Sequence, residues 1–310
     1  MRAARARGAA RAPVRGDPLG GAARAARLAF LRGGRPHLGA AGRGTGLITA
    51  SFRHIAGIGG LRERQLWFSG VRSWDDVGEG ELLSPRLDGK LREGVAQSRE
   101  RLAAGDVEYF ARVLPQTEHW RLLPQVIDGA AFIDIEAAAD AITVIGVLDA
   151  RGIVSLSPAE FLERARGWSA LVTFNGAAFD LPILRRALPH WTPPAVHVDL
   201  KHVYQRLRDK GGLKEVEKRA DFFRPPHLAR LSGADAVALW HAQKAGDRRA
   251  LQRLVEYNLY DVFHLRPLAE LGYNRLLQRT GMPARPLPVT DRGAMLYDVT
   301  KAVAAALRLR

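Results

Sequence analysis

Two acids one residue apart have the most evident chemistry in this chain, in Ala131-Phe132-Ile133-Asp134-Ile135-Glu136-Ala137. Successive side chains of a β-strand point to opposite faces. Phe132, Asp134 and Glu136 would therefore share one face, and Ile133, Ile135 and Ala137 the other. Carboxylates side by side on a mostly apolar strand repel, and burial raises the cost. A shared proton or a bound cation relieves it. An edge strand with a wet acidic face is the reading that needs no ligand.

Two more acids join them. Asp180 follows the apolar run Ala170–Phe174, in Phe174-Asn175-Gly176-Ala177-Ala178-Phe179-Asp180-Leu181-Pro182. This is a strand-to-helix junction, where helix N–H groups help hold an acid; taken singly, Asp180 caps the helix. Tyr257 and Asp261 stand four apart in a helical pattern and so share a face. Taken singly, they form a hydrogen-bonded pair. A cation held by carboxylates would be a hard one, such as Mg²⁺ or Mn²⁺. The 310 residues include no cysteine, which excludes disulfides, thiolate zinc sites and a cysteine nucleophile. It also fits a reducing compartment, and a cytoplasmic location is expected. No apolar run reaches the ~18 residues of a membrane span.

The elements that must position these acids follow from the hydrophobic pattern. Strands are predicted at Ala131–Ala137, Ala141–Leu148, Gly152–Leu156, Ala170–Phe174 and Ala195–Val198. The turn Asp149-Ala150-Arg151-Gly152 makes the first three an antiparallel meander. Ser157-Pro158-Ala159-Glu160 reads as a helix start with a capping box. Helices follow at Gly211–Lys218 and Gly233–Ala245, and Asp247 caps the last long one. Upstream, Gly94–Val113 reads as one helix. Ser51–Gly60 followed by Leu61–Phe68 reads as helix, Gly57-Ile58-Gly59 turn and helix. That resembles a helix-hairpin-helix, whose turn offers N–H groups to a phosphate; a small helical domain capping the next one is the other reading. Trp120 is expected to be a packing anchor. His197-Val198-Asp199-Leu200 on the fifth strand is read as structural or supporting. His54, His202, His227, His241 and His264 show no paired ligand spacing, and Lys201, Lys214 and Lys218 are surface charges or phosphate contacts.

The net charge of +15 is concentrated at one end. Residues 1–46 hold ten Arg and one acid, Asp17, a net +9, leaving +6 for the rest. This Arg/Ala/Gly-rich tail has little to bury and is expected to be disordered. A transit peptide, an over-long gene start or a basic arm for nucleic acid would share its composition. The expected organisation is this tail, a helical region over 47–128, an α/β domain over 129–280 and a C-terminal extension over 281–310.

In combination the motifs are more specific. Asp134-x-Glu136, Asn175 through Phe179-Asp180, and Tyr257-x-x-x-Asp261 resemble the three exonuclease motifs of the DEDD (DnaQ-like) superfamily in its tyrosine subclass. Segments such as Gly57-Ile58-Gly59, Trp120-Arg121-Leu122, Gly211-Gly212-Leu213-Lys214 and Tyr257-Asn258 are similar to the YprB-like branch of ribonuclease H-like nucleases. The resemblance spans about residues 48–275. It implies an α/β, ribonuclease H-like mixed five-stranded sheet with flanking helices, and two-metal 3′–5′ exonuclease hydrolysis of nucleic acid. It also implies roles: Asp134 bridging two divalent cations, Glu136 and Asp261 on the nucleophile side, Asp180 on the second cation, and Tyr257 orienting the attacking water. Gly57, Gly59, Asn175 and Lys214 would meet nucleic acid. The superfamily's Thr-Thr-Gly after the second acid is replaced here by Ala137-Ala138-Ala139, which removes hydroxyl contacts to substrate. A structure-selective endonuclease, a non-catalytic nucleic-acid-binding module and a structural protein with solvated acids are the alternatives.

Overall fold

The computed structural model describes residues 48–138, 141–293 and 295–308. The Arg-rich stretch over 1–46, together with Ala139 and Asp140, lies outside them. Among the described residues, five strands form one sheet: β1 (Ala130–Ala138), β2 (Ala141–Asp149), β3 (Gly152–Leu156), β4 (Ala170–Thr173) and β5 (Val196–Asp199). Their order is β3-β2-β1-β4-β5. The first three pair antiparallel, and β4 and β5 add in parallel on the other side of β1. The five strands and the antiparallel meander are those the apolar runs predict, and the mixed sheet is the one the resemblance implies.

The helices are α1 (Gly60–Phe68), α2 (Pro85–Ala103), α3 (Val107–Val113), α4 (Leu123–Val126), α5 (Pro158–Ala165), α6 (Asp180–Ala187), α7 (Leu200–Arg206), α8 (Leu213–Arg219), α9 (Pro226–Ala229), α10 (Gly233–Lys244), α11 (Arg248–Thr280) and α12 (Leu296–Arg308). They cover both faces of the sheet. On one face, Ile133, Ile135, Ile145, Val147 and Leu171 pack with Leu181 and Leu184 of α6 and Phe161 of α5. On the other, Phe132, Val144, Leu148, Val172 and Val198 pack against α11. At 33 residues, α11 is about 50 Å long. Asp247 caps it, accepting from the N–H groups of Arg249 and Ala250, and a left-handed Gly281 ends it. The capping box at Ser157 and Glu160 forms as its spacing predicts.

Two expected helices come out differently. Gly94–Val113 is not one helix: α2 stops at Ala103, Gly105 turns with φ +70°, and Asp106 caps α3 by accepting from Tyr109 N. A left-handed glycine followed by a short polar cap is a stronger stop than the apolar spacing is a continuation. Residues before the Gly57-Ile58-Gly59 turn likewise form a short 3-10 turn, Ile48–Ala50, and bends rather than a helix. Ser51 and the Phe52 N–H are instead drawn to the buried Glu63 carboxylate, which pairs with Arg121 at 2.9 Å. The second helix, α1, is present, so only half of the expected hairpin forms. Trp120 is almost fully buried and meets Tyr273 edge-on, as a packing anchor should.

Candidate active site

The alternation of β1 decides where its acids point. Phe132 lies on the face covered by α11, so Asp134 and Glu136 face that helix too. Ile133 and Ile135 anchor the opposite face. The register of β1 against β2 shifts immediately after Glu136, which opposes Val144, while Ala137 opposes Ile142. Thr143 is the extra residue, and its hydroxyl donates to the Glu136 carbonyl at 3.0 Å. A bulge of this kind bends a strand and re-aims the side chains beside it.

α11 approaches the sheet closely at the same level, and Gly146 permits it. This glycine opposes Asp134 across the β1–β2 ladder. A Cβ there would stand 2.3 Å from Asn258 Oδ1 and 2.8 Å from Val262 Cγ2. The close approach lets Asn258 Nδ2 donate to both the backbone oxygen and Oδ2 of Asp134, at 3.0 and 2.8 Å. It also brings Asp261, one turn after Tyr257, over the strand acids. One carboxylate oxygen from each of Asp134, Glu136 and Asp261 falls within a 4.8 Å cluster.

Asp180 arrives from β4 through a tight turn. Asn175 takes a left-handed φ of 66°, which Asn tolerates better than most residues. The Asp199 carboxylate accepts from the N–H groups of Asn175 and Ala177, at 2.7 and 3.0 Å, and clamps the turn to the end of β5. Gly176 fits because a Cβ would collide with Thr173 at 2.3 Å. Asp180 then opens α6 and its Oδ1 accepts from Ile135 N at 3.0 Å. It reaches across to β1, beside the cluster, as well as starting the helix. Asp180 is not one of the three acids whose oxygens gather within 4.8 Å.

The electrostatics are those of crowded, poorly hydrated acids. Burial, followed by the charges of Asp261, Asp180 and Glu136, lifts Asp134 well above the usual carboxylate range. Burial and then Asp261 and Asp180 push Glu136 up to about 8. Asp180 is pushed up to about 7, mainly by burial, against the pull of its backbone hydrogen bonds. Asp261 is raised by burial despite an ion pair with Arg224. Groups in this condition share protons until a cation takes their place. Tyr257 is raised as well, by burial and then by Asp261 and Glu136, so it stays a protonated phenol. Lys214 Nζ sits 4.5 Å from the centre of the Tyr257 ring.

Asp134 and Asp261 open into a cleft of about 830 Å³, walled by α8, α11 and the segment leading to α10, with Lys214, Lys218, Arg224 and Arg230 along it. Phe223, two-thirds exposed, lies at the same cleft. The structure thus brings Asp134, Glu136, Asp261, Tyr257 and Lys214 together, with Asp180 alongside. Asn175 is not among the residues that line the cleft, and its Oδ1 accepts from Lys201 Nζ at 3.0 Å. Gly57 and Gly59 lie before α1, next to Leu87 and Arg53, and line neither the cluster nor its cleft.

Sequence reasoning missed the partners that hold the acids. Asn258 could be noticed only as the neighbour of Tyr257. Arg224, Glu217 and His264 form a buried hydrogen-bonded group against Asp261. Arg224 stands 37 positions before Asp261 in an irregular segment, and no spacing signals it.

Residues 131–273 match a family model of the RNase H superfamily, RNase_H_2. The matched stretch contains nearly all of the sheet, α11 as far as Tyr273, and every acid of the cluster. Searches of curated proteins and of solved structures return no match. The strand order, the flanking helices and this match together define an RNase H-like domain. Its acidic cluster points to nuclease chemistry on nucleic acid. Among the described residues, no helix is long and apolar enough to cross a membrane.

Proposed function

We propose that the protein is a 3′–5′ exonuclease of the DEDD type, tyrosine subclass and YprB-like, which hydrolyses phosphodiester bonds of single-stranded DNA or RNA using two divalent cations, Mg²⁺ or Mn²⁺. The observation that carries this reading is the convergence of Asp134, Glu136 and Asp261 oxygens within 4.8 Å, at a cleft that Asp134 and Asp261 line together with cationic side chains. The donor set fits hard cations: all oxygen, all carboxylate, with acids that burial and mutual repulsion raise and that a bound divalent charge would favour in their ionised form. Asp134, Glu136 and Asp261 would hold a cation directly, and Asp180 would complete a second position beside them. Bound divalent cations would supply the charge that lowers the pKa of an attacking water and stabilises the leaving oxygen.

The chain's own groups supply the rest. Asn258 fixes the Asp134 carboxylate through Nδ2. Tyr257 keeps its proton and orients water as a donor and acceptor rather than as a base. Lys214 and Lys218 at the cleft meet substrate phosphates. Ala137 and Ala138 offer no hydroxyl to a terminal nucleotide, so binding relies more on the cationic wall of the cleft.

Single-stranded DNA and RNA labelled at either end test this reading, with Mn²⁺, Mg²⁺ or EDTA and an Asp134→Ala control. A 5′-labelled strand shortened stepwise, only with the cation and with Asp134, is the expected result. Internal cuts would replace the exonuclease with an endonuclease. Binding without cleavage, equal in both proteins, would replace it with a binding module.

A further inference from the structure

This inference rests on the reading of the cleft as a divalent-cation site. Asp261 is not a free ligand, because Arg224 Nη2 is ion-paired with its Oδ1. Arg224 is also held from Glu217, whose Oε1 accepts from Nη2 at 2.6 Å and whose Oε2 accepts from Nε at 2.7 Å. Glu217 Oε1 is in turn 2.8 Å from Nδ1 of the fully buried His264, on the same helix as Asp261. The Arg224 and Glu217 side chains are 3% and 2% exposed. One guanidinium therefore bridges two carboxylates, one inside the cation cluster and one outside it. Its Nη1 is buried without a hydrogen-bond partner among the described residues. An orphan donor of a buried charge is costly, which marks this as an arrangement not optimised for Arg224 alone.

We infer that Arg224 is a positioning residue that serves as the resident counter-cation of Asp261, sharing that carboxylate with the divalent cation and yielding it toward Glu217 when the cation binds. A guanidinium and a divalent ion on one carboxylate repel each other, more strongly in a cleft than in water. Arg224 thus keeps the crowded acids neutralised when no metal is bound and lowers the affinity for it. Glu217 limits this effect by holding part of the guanidinium away from Asp261. Without the Glu217 charge, Arg224 would commit itself to Asp261 alone.

The two side chains should therefore affect cation affinity in opposite directions. The test is Mn²⁺ binding to the full chain by isothermal titration calorimetry, without nucleic acid. Arg224→Gln is expected to bind Mn²⁺ about tenfold more tightly than the native protein, and Glu217→Gln several-fold more weakly. A purely structural role would weaken binding in both. The double variant Glu217→Gln/Arg224→Gln replaces the buried ion pair with neutral amides; it carries the test if Arg224→Gln does not fold, and is expected to bind more tightly than native. Unchanged or weaker binding in the folded Arg224 variants overturns the inference while leaving the cation site standing. Absence of Mn²⁺ binding to the native protein overturns both.

Discussion

Asn258 offers the sharpest test of how the acids are held. Its Nδ2 donates to the backbone oxygen and to Oδ2 of Asp134, and both partners are acceptors, so only an amide nitrogen satisfies them. Asn258 itself is fully buried. Asn258→Ala removes both bonds and leaves the Asp134 carboxylate free to rotate away from Glu136 and Asp261. Loss of a residue that orients a ligand typically costs 10–100-fold in metal affinity, or about 1.4–2.7 kcal/mol. The same change costs the fold about 1–3 kcal/mol for two unmade bonds. Asn258→Asp keeps the volume but sets a fifth acid against Asp134, and is expected to weaken metal-free folding more. The assay is Mn²⁺ titration calorimetry beside thermal unfolding in EDTA. An Asn258→Ala protein that folds and binds Mn²⁺ within twofold of native would refute the claim that Asn258 sets the geometry of Asp134.

Two further outcomes follow from the same geometry. Glu136 moves from an ordinary 4.5 to about 8 on folding, and Asp180 from 3.8 to about 7. These two acids hold extra protons in the folded state, so their contribution to stability falls as pH rises toward about 8. Below about pH 6.5 the buried His54, His119 and His197, held down mainly by burial, act in the opposite sense, and above it only the acids remain to set the slope. Unfolding temperatures in EDTA should decline from about pH 6.5 to pH 8, and saturating Mg²⁺ should flatten the decline; a rising or flat profile over that range in EDTA would contradict the crowding of these acids. Gly146→Ala places a methyl group 2.3 Å from Asn258 Oδ1 and is expected to cost about 1–3 kcal/mol and to weaken Mn²⁺ binding with it, whereas a native-like unfolding temperature would show that α11 has room to shift.

The acids were legible because strand alternation and helical spacing are local rules. Asp134 and Glu136 two apart, and Tyr257 and Asp261 four apart, declare their faces without tertiary information. The five strands were legible for the same reason, within a residue or two at their ends. What could not be read depends on approach between distant elements. Gly146 sits in an apolar run and reads as an ordinary strand residue; only the packing of α11 shows why a side chain is excluded there. Asp180 reads as a helix cap, yet its partner is the Ile135 N–H on β1. Arg224 and Glu217 come from a region of short helices and turns, where no period reports which way a side chain points. Upstream, Gly105 and Asp106 carry a stop signal whose turn chemistry outweighs the apolar spacing that runs across them.

The measurement that tests the account most directly is the anomalous scattering of Mn²⁺ in crystals of the full chain, compared with the same crystals in EDTA. The account predicts density between the carboxylates of Asp134, Glu136 and Asp261, lost in Asp134→Ala. Mn²⁺ bound elsewhere, or no peak at a concentration that saturates binding in solution, would contradict the assignment of these acids as the metal site.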